Sequence, residues 1–254
     1  MTAAAHDSAP SWLVRYGNVL FKYRNAVFPV TLLALFFGFR PHALGDPQID
    51  ALSDAAGVLI ALAGQSLRVA VIGYVYIIRG GKNARIYAED LVTGGFFAHC
   101  RNPLYAGNIL VLLGLFVIHN NPWVYALGIP FFFTAYAAIV AAEEAYLRGK
   151  FGAAYDAYTR DVPRWVPRLH GLRESVAGMR FNWRRVVLKE YGSTFAWTAT
   201  AVVLMARQAL LYSSYHERAG YMNALAATLG VLVLAYGIAR YLKKTRRLRT
   251  QQQA

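Results

Sequence analysis

Six apolar runs recur along this chain, at about residues 26–39, 54–78, 104–118, 122–142, 194–212 and 222–239. A helix that crosses a bilayer needs roughly 20 apolar residues. The second and fourth runs have that length, and the shorter first and third reach it by extending into their flanks or tilting. Lipid offers no partner to a backbone N–H or C=O, so each run is expected to be helical. Composition agrees: 57% of the 254 residues are hydrophobic and only 16% are charged, against about 25% charged in soluble domains. The expected fold is all-α, a polytopic integral membrane protein with about six transmembrane helices and cytoplasmic amphipathic segments.

Lys and Arg placement orients the spans. With the N-terminus inside, the inner segments 1–25, 79–103, 143–193 and 240–254 carry 3, 4, 10 and 6 basic residues. The outer loops carry only Arg40 and Arg218, and Arg68 and Arg207 fall within spans. That asymmetry predicts cytoplasmic termini and, for localisation, the inner (plasma) membrane. It also absorbs the net charge of +14, so no nucleic-acid partner is expected. The basic tail 240–249 reads as a stop-transfer anchor that can also touch anionic lipid. Two inner segments read as interfacial helices: Trp12, Tyr16, Val19 and Tyr23 share one helical face, as do Leu172, Val176, Met179, Trp183 and Val187. The single Cys100 excludes an internal disulfide. The six histidines lack ligand spacing, so no metal site is expected. Residues 1–10 are polar, with no apolar core of a cleavable signal.

Polar residues that carry chemistry gather near the inner ends of the third and fourth spans. Gly94-Gly95 permits close backbone approach or positive φ. Asn102-Pro103 marks a helix start with Pro at the first position, where N–H donors and the dipole favour an anion. Arg101 beside it is either a membrane-edge anchor or a bidentate partner for a carboxylate. Glu143-Glu144 are expected to end the fourth span. Carboxylates at a helix C-terminus oppose the dipole. The pair is therefore either solvated or matched by a cation or by ligand hydroxyls. The following stretch, with Phe151-Gly152, Tyr155, Tyr158 and Pro163 to Pro167, is aromatic and stiff and could fold over a ligand. Arg68 stands about 11 residues from the inner end of its span, roughly 16 Å at 1.5 Å per residue. An Arg at that depth is costly unless it faces a cavity or a carboxylate. Arg207 lies near enough to its span's end to snorkel.

These pieces together resemble the isoprenylcysteine carboxyl methyltransferase and phospholipid methyltransferase superfamily. The resemblance covers about residues 55–168. It rests on Leu67-Arg68, Leu91-Val-Thr-Gly-Gly95, Arg101-Asn-Pro-Leu-Tyr-Ala-Gly107, Glu143-Glu144, Phe151 to Tyr158 and Val162-Pro-Arg164. It implies a membrane methyltransferase using S-adenosylmethionine, with a cytosolic cofactor pocket and a lipophilic acceptor arriving from the bilayer. Carried over to this sequence, it implies cofactor contacts at Arg101, Asn102, Tyr105, Gly107, Glu143, Glu144, Tyr155, Tyr158 and Arg164. Arg68, Glu143 and Glu144 are then the catalytic candidates, with Arg68 orienting the acceptor. Asn102 stands where the family has His, and Ala98 where it has a basic residue. Carboxyl, amine and thiol acceptors all fit.

An NADPH-dependent membrane reductase acting on a sterol-like or isoprenoid lipid is the alternative, although no Gly-rich dinucleotide fingerprint is present. A non-catalytic membrane protein is a third reading. The expected organisation is 1–53 as an interfacial helix and first span, 54–170 as the methyltransferase core, and 171–254 as an interfacial helix, a two-helix hairpin and the basic tail.

Overall fold

The computed structural model describes residues 11–42, 44, 46–75, 85–212 and 219–245. They form an all-α bundle. The long helices are α1 (Trp12–Gly38), α2 (Pro47–Tyr74), α3 (Pro103–His119), α4 (Pro122–Phe151), α7 (Trp183–Tyr212) and α8 (Ala219–Lys244). Short helices α5 (Ala153–Asp161) and α6 (Leu172–Ala177), and a 3-10 turn at Gly95–Ala98, lie at one end. Five helices are long and apolar enough to cross a membrane. The sixth, α3, is apolar but has 17 residues, or about 25 Å at 1.5 Å per residue. The protein is thus a polytopic integral membrane protein.

Local chemistry sets the helix ends. Asp46 caps α2, its carboxylate accepting from the Gln48 and Ile49 amides at 2.7 and 3.3 Å, with Pro47 at the first position. Asn120 closes α3 with φ 50°, a left-handed conformation that Asn tolerates. Asn121 then caps α4 by accepting from the Trp123 amide at 2.8 Å, and Pro122 starts that helix. The connection at residues 119–122 is therefore a tight helical hairpin.

Three expectations are corrected. Trp12–Gly38 is one helix rather than an interfacial helix followed by a span. Its only internal proline is Pro29, which lies well after the aromatic face. The second amphipathic stretch is broken, since α6 ends at Ala177 and residues 178–182 are not helical. Trp183 and Val187 belong to α7, which runs on without interruption into the fifth span. Glu143-Glu144 lie inside α4, which continues to Phe151 after its apolar run stops. Residues 246–249 of the basic tail, with Arg79 and Lys82, lie outside the described residues.

Without a hydrophobic force between helices in lipid, close approach at small residues holds a bundle together. The antiparallel seam between α2 and α3 is built this way. A Cβ on Gly64 would lie 2.5 Å from the Gly107 carbonyl oxygen, and one on Gly114 would lie 2.4 Å from that of Gly57. The α1–α4 seam is equally tight at Gly17 against Ala138. Phe36, Phe116, Phe132, Tyr136, Trp197 and Leu204 join α1, α3, α4 and α7 in one core. Helix α8 packs on α7 and turns Val231 and Leu234, 67% and 64% exposed, outward. Such faces suit lipid.

Candidate functional site

A cavity of about 1030 Å³ runs through the loop-rich end of the bundle. Its polar end is lined by Arg101, Asn102, Tyr105, Glu143, Glu144 and Tyr158, and residues 86–92 line a further side. Its deeper part is lined by Gln65, Arg68, Asn108, Phe132, Ser193 and Trp197. Soluble ligand pockets commonly hold about 300–1,000 Å³, so the volume suffices for two sizeable ligands side by side.

Glu143 and Glu144 are adjacent on α4 and therefore point about 100° apart, so they serve different neighbours. Glu144 is 5% exposed. It accepts from Arg101 Nη1 at 3.0 Å and Arg164 Nε at 3.1 Å, and pairs with Arg164 Nη2. Glu143 accepts from the Tyr105 hydroxyl at 2.7 Å, and that hydroxyl accepts from Arg24 Nη1 at 3.3 Å. The cations that compensate the pair are thus Arg101, Arg164 and Arg24, not a helix end.

The Arg101 loop is braced from behind. Arg101 N–H donates to the Pro163 carbonyl at 2.9 Å, and Arg168 N–H to that of His99 at 3.1 Å. Asn102 does not cap α3; its amide nitrogen donates to the Arg164 carbonyl at 3.1 Å. The Tyr158 hydroxyl donates to the Phe97 carbonyl at 2.7 Å. Burial, reinforced by the neighbouring Tyr155 phenol, raises the Tyr158 phenol well above its usual range. Burial and then the Glu144 charge push Tyr155 up to about 12. Both phenols therefore stay protonated at neutral pH. On the cavity's other flank, Lys150 Nζ donates to the Glu89 carbonyl at 3.1 Å and also bonds that of Ala88, tying the 86–92 segment to α4. Gly95 does have positive φ, 59°, with Met179 and Val75 closing on its Cα.

Three residues expected at the cofactor are not among those that line the cavity. Gly107 packs in the α2–α3 seam, where a Cβ would lie 2.7 Å from Arg68 Cγ. Tyr155 is 1% exposed and takes a hydrogen bond from Arg101 behind the cavity wall. Arg164 is not among the lining residues and reaches the cavity only through Glu144. Within the aromatic segment, Tyr155 and Arg164 thus contact Arg101 and Glu144, while Tyr158 lines the cavity.

Arg68 has both surroundings that its depth demands, a cavity and a carboxylate. Its Nε and Nη2 form a two-pronged pair with Glu190 of α7 at 2.8 and 2.9 Å. The two residues are 4% and 2% exposed. Nη2 also donates to Ser193 Oγ at 3.1 Å, and Nη1 bonds Asn108. Sequence reasoning missed Glu190, Arg24 and Asn108. The depth of Arg68 signalled a cavity or a carboxylate, but not which carboxylate.

Fold and site together define a polytopic membrane protein with a carboxylate- and arginine-lined chamber between its helices. A phospholipid methyltransferase family model matches residues 54–154. The chain is 30% identical over 170 residues to the cobalt-zinc-cadmium resistance protein CzcN of Cupriavidus metallidurans, covering 64% of this chain and 72% of that one. It is 28% identical over 169 residues to the nickel-cobalt-cadmium resistance protein NccN of Alcaligenes xylosoxydans xylosoxydans, covering 65% of this chain and 71% of that one. It is 32% identical over 156 residues to the protein-S-isoprenylcysteine O-methyltransferase of Rattus norvegicus, covering 58% of this chain and 53% of that enzyme. No solved structure matches at comparable stringency. This chain belongs to the isoprenylcysteine and phospholipid methyltransferase superfamily of membrane proteins.

Proposed function

We propose that this protein transfers a methyl group from S-adenosylmethionine to a lipophilic acceptor at the cytoplasmic face of the membrane. The observation that carries the reading is the single cavity joining the Arg101–Glu143–Glu144 end to the intramembrane Arg68 end. Family membership supports the reaction class, and the isoprenylcysteine relatives support an acceptor carried by a lipid or isoprenoid.

The residues at the polar end fit the cofactor. Arg101 Nε is buried with no partner among the described residues, and a ligand carboxylate would complete it. Glu143, Glu144 and the Tyr105 hydroxyl offer acceptors and a charge balance for an amine, ribose hydroxyls and a sulfonium. We assign Arg101, Asn102, Tyr105, Glu143, Glu144 and Tyr158 to the cofactor's surroundings. Tyr155 and Arg164 position Arg101 and Glu144. Gly107 gives Arg68 room.

When bound, S-adenosylmethionine would supply an electrophilic sulfonium methyl for transfer to an acceptor lone pair, with the thioether as leaving group. The chain's contribution is orientation and exclusion of water. Correct alignment lowers such a barrier by about 7–11 kcal/mol, and a closed, dry chamber keeps water from competing. The deep end would hold the acceptor's polar group near Arg68 and Asn108, with Phe28, Leu32 and Phe132 of the cavity wall against its tail. In this reading 54–170 carries the cofactor end, and the flanking helices α1 and α7 complete the acceptor end. Both termini face the cytoplasm. The test is thermal stabilisation of the detergent-purified protein by S-adenosylmethionine against NADPH. Stabilisation by the first alone is expected, and stabilisation by NADPH alone would replace the methyltransferase with a reductase.

A further inference from the structure

We propose that Glu190 on α7, outside the stretch that the family model matches, is a positioning residue for the acceptor; this rests on the methyl-transfer reading above. Glu190 is 2% exposed and is not among the cavity-lining residues, yet it bonds three side chains that are. Arg68 reaches it through Nε and Nη2 at 2.8 and 2.9 Å, Gln65 Nε2 at 3.2 Å and Ser193 Oγ at 3.4 Å. Gln65 in turn accepts from the Trp197 indole N–H at 3.0 Å, so the same carboxylate fixes the ring that closes the core behind the cavity. Arg68 continues the chain to Asn108, whose amide also bonds Tyr136. One carboxylate thereby sets the rotamers along one wall, from Trp197 to Tyr136.

Stability alone does not account for the arrangement. A buried ion pair recovers little more than its desolvation cost, and an apolar pair of similar volume is often as stable or more so. In a spanning helix the charged pair is a marked expense. What it provides is a guanidinium locked in one orientation, with most of its donors committed and its charge neutralised. Arg68 therefore meets the acceptor as a fixed polar wall rather than as a free cation, and Asn108 and Ser193 share that surface.

The experiment uses full-length protein in nanodiscs, with S-adenosylmethionine as donor and either an S-farnesylated cysteine or phosphatidylethanolamine as acceptor. Four proteins are compared: wild type, Glu190→Ala, Glu190→Gln and the double variant Arg68→Leu/Glu190→Leu. Cofactor affinity, acceptor-induced thermal stabilisation, and acceptor KM and kcat are measured for each. Glu190→Ala leaves Arg68 uncompensated and is expected to lose stability, so the apolar double variant carries the argument. It should fold, bind cofactor with unchanged affinity, lose acceptor-induced stabilisation and lose about tenfold or more in kcat/KM. Glu190→Gln, which keeps one oxygen for Arg68, should fall between. A stable double variant that turns over like wild type would show the pair to be structural and overturn the proposal, as would a wild type that neither acceptor stabilises. Wild type stabilised by an acceptor but not by S-adenosylmethionine, with that stabilisation lost in the double variant, would sink the methyl-transfer reading and leave Glu190 in its positioning role.

Discussion

Glu144→Gln tests the polar end of the cavity with the least steric change. The native carboxylate, 5% exposed, holds Arg101 Nη1 at 3.0 Å and Arg164 Nε at 3.1 Å, besides Arg164 Nη2. The amide keeps the shape and one acceptor oxygen. It turns the other position into a donor that faces a guanidinium, so one arginine must let go. A charge-assisted hydrogen bond contributes about 1.5–3 kcal/mol. At 1.4 kcal/mol per decade, the loss corresponds to roughly 10–150-fold weaker cofactor binding, provided that Arg101 is the partner released or reoriented. Isothermal calorimetry of the detergent-purified variant reads this directly. Arg164→Gln separates the two partners: it takes one arginine from the buried carboxylate and leaves Arg101 Nη1 in place, so it should weaken cofactor binding less than Glu144→Gln does. Wild-type affinity in Glu144→Gln would refute the assignment of this carboxylate to the cofactor end.

Other consequences follow from the same geometry. Gly107→Leu forces a side chain into Arg68 Cγ and the Gly64 carbonyl, so it should lower the midpoint of thermal unfolding and abolish turnover; a stable, active variant would contradict the seam. Tyr155 has its phenol raised from 10.0 to about 12 by burial, so its neutral form is favoured on folding. That contribution is complete below about pH 10 and is lost as pH rises through 12. Tyr155→Phe should remove this part of the alkaline stability loss in thermal scans, and an identical pH profile would count against it. Tags at both termini should be reached only from the cytoplasm and a tag beside Asp46 only from outside; an externally accessible C-terminus would overturn the orientation.

Much of this architecture is legible in the amino-acid sequence because the bilayer imposes a simple rule on backbone hydrogen bonds. Apolar length is a local signal, and every apolar run lies largely within a long helix. The depth of Arg68 carries its own inference, since a guanidinium there must face a cavity or a carboxylate. Its partner was hidden because Glu190 lies 122 positions away, in a basic stretch that reads as interfacial. Glu143-Glu144 were misplaced at a helix end because α4 outlasts its apolar run: hydropathy marks where a helix leaves lipid, not where its hydrogen bonds stop. Gly107 falls within the Arg101-to-Gly107 stretch that carries the family resemblance, and that resemblance implies a ligand contact there. Only the three-dimensional crossing with Gly64 and Arg68 shows its packing role.

Transfer of labelled methyl addresses the central claim most directly. The purified protein is incubated in nanodiscs with methyl-labelled S-adenosylmethionine and the total lipid of a membrane extract, and the organic-soluble fraction is analysed. Label covalently attached to a lipid-soluble product is expected with the wild-type protein, and strongly reduced label with Glu144→Gln. No lipid-soluble label from a folded wild-type protein that NADPH stabilises and S-adenosylmethionine does not would contradict the claim.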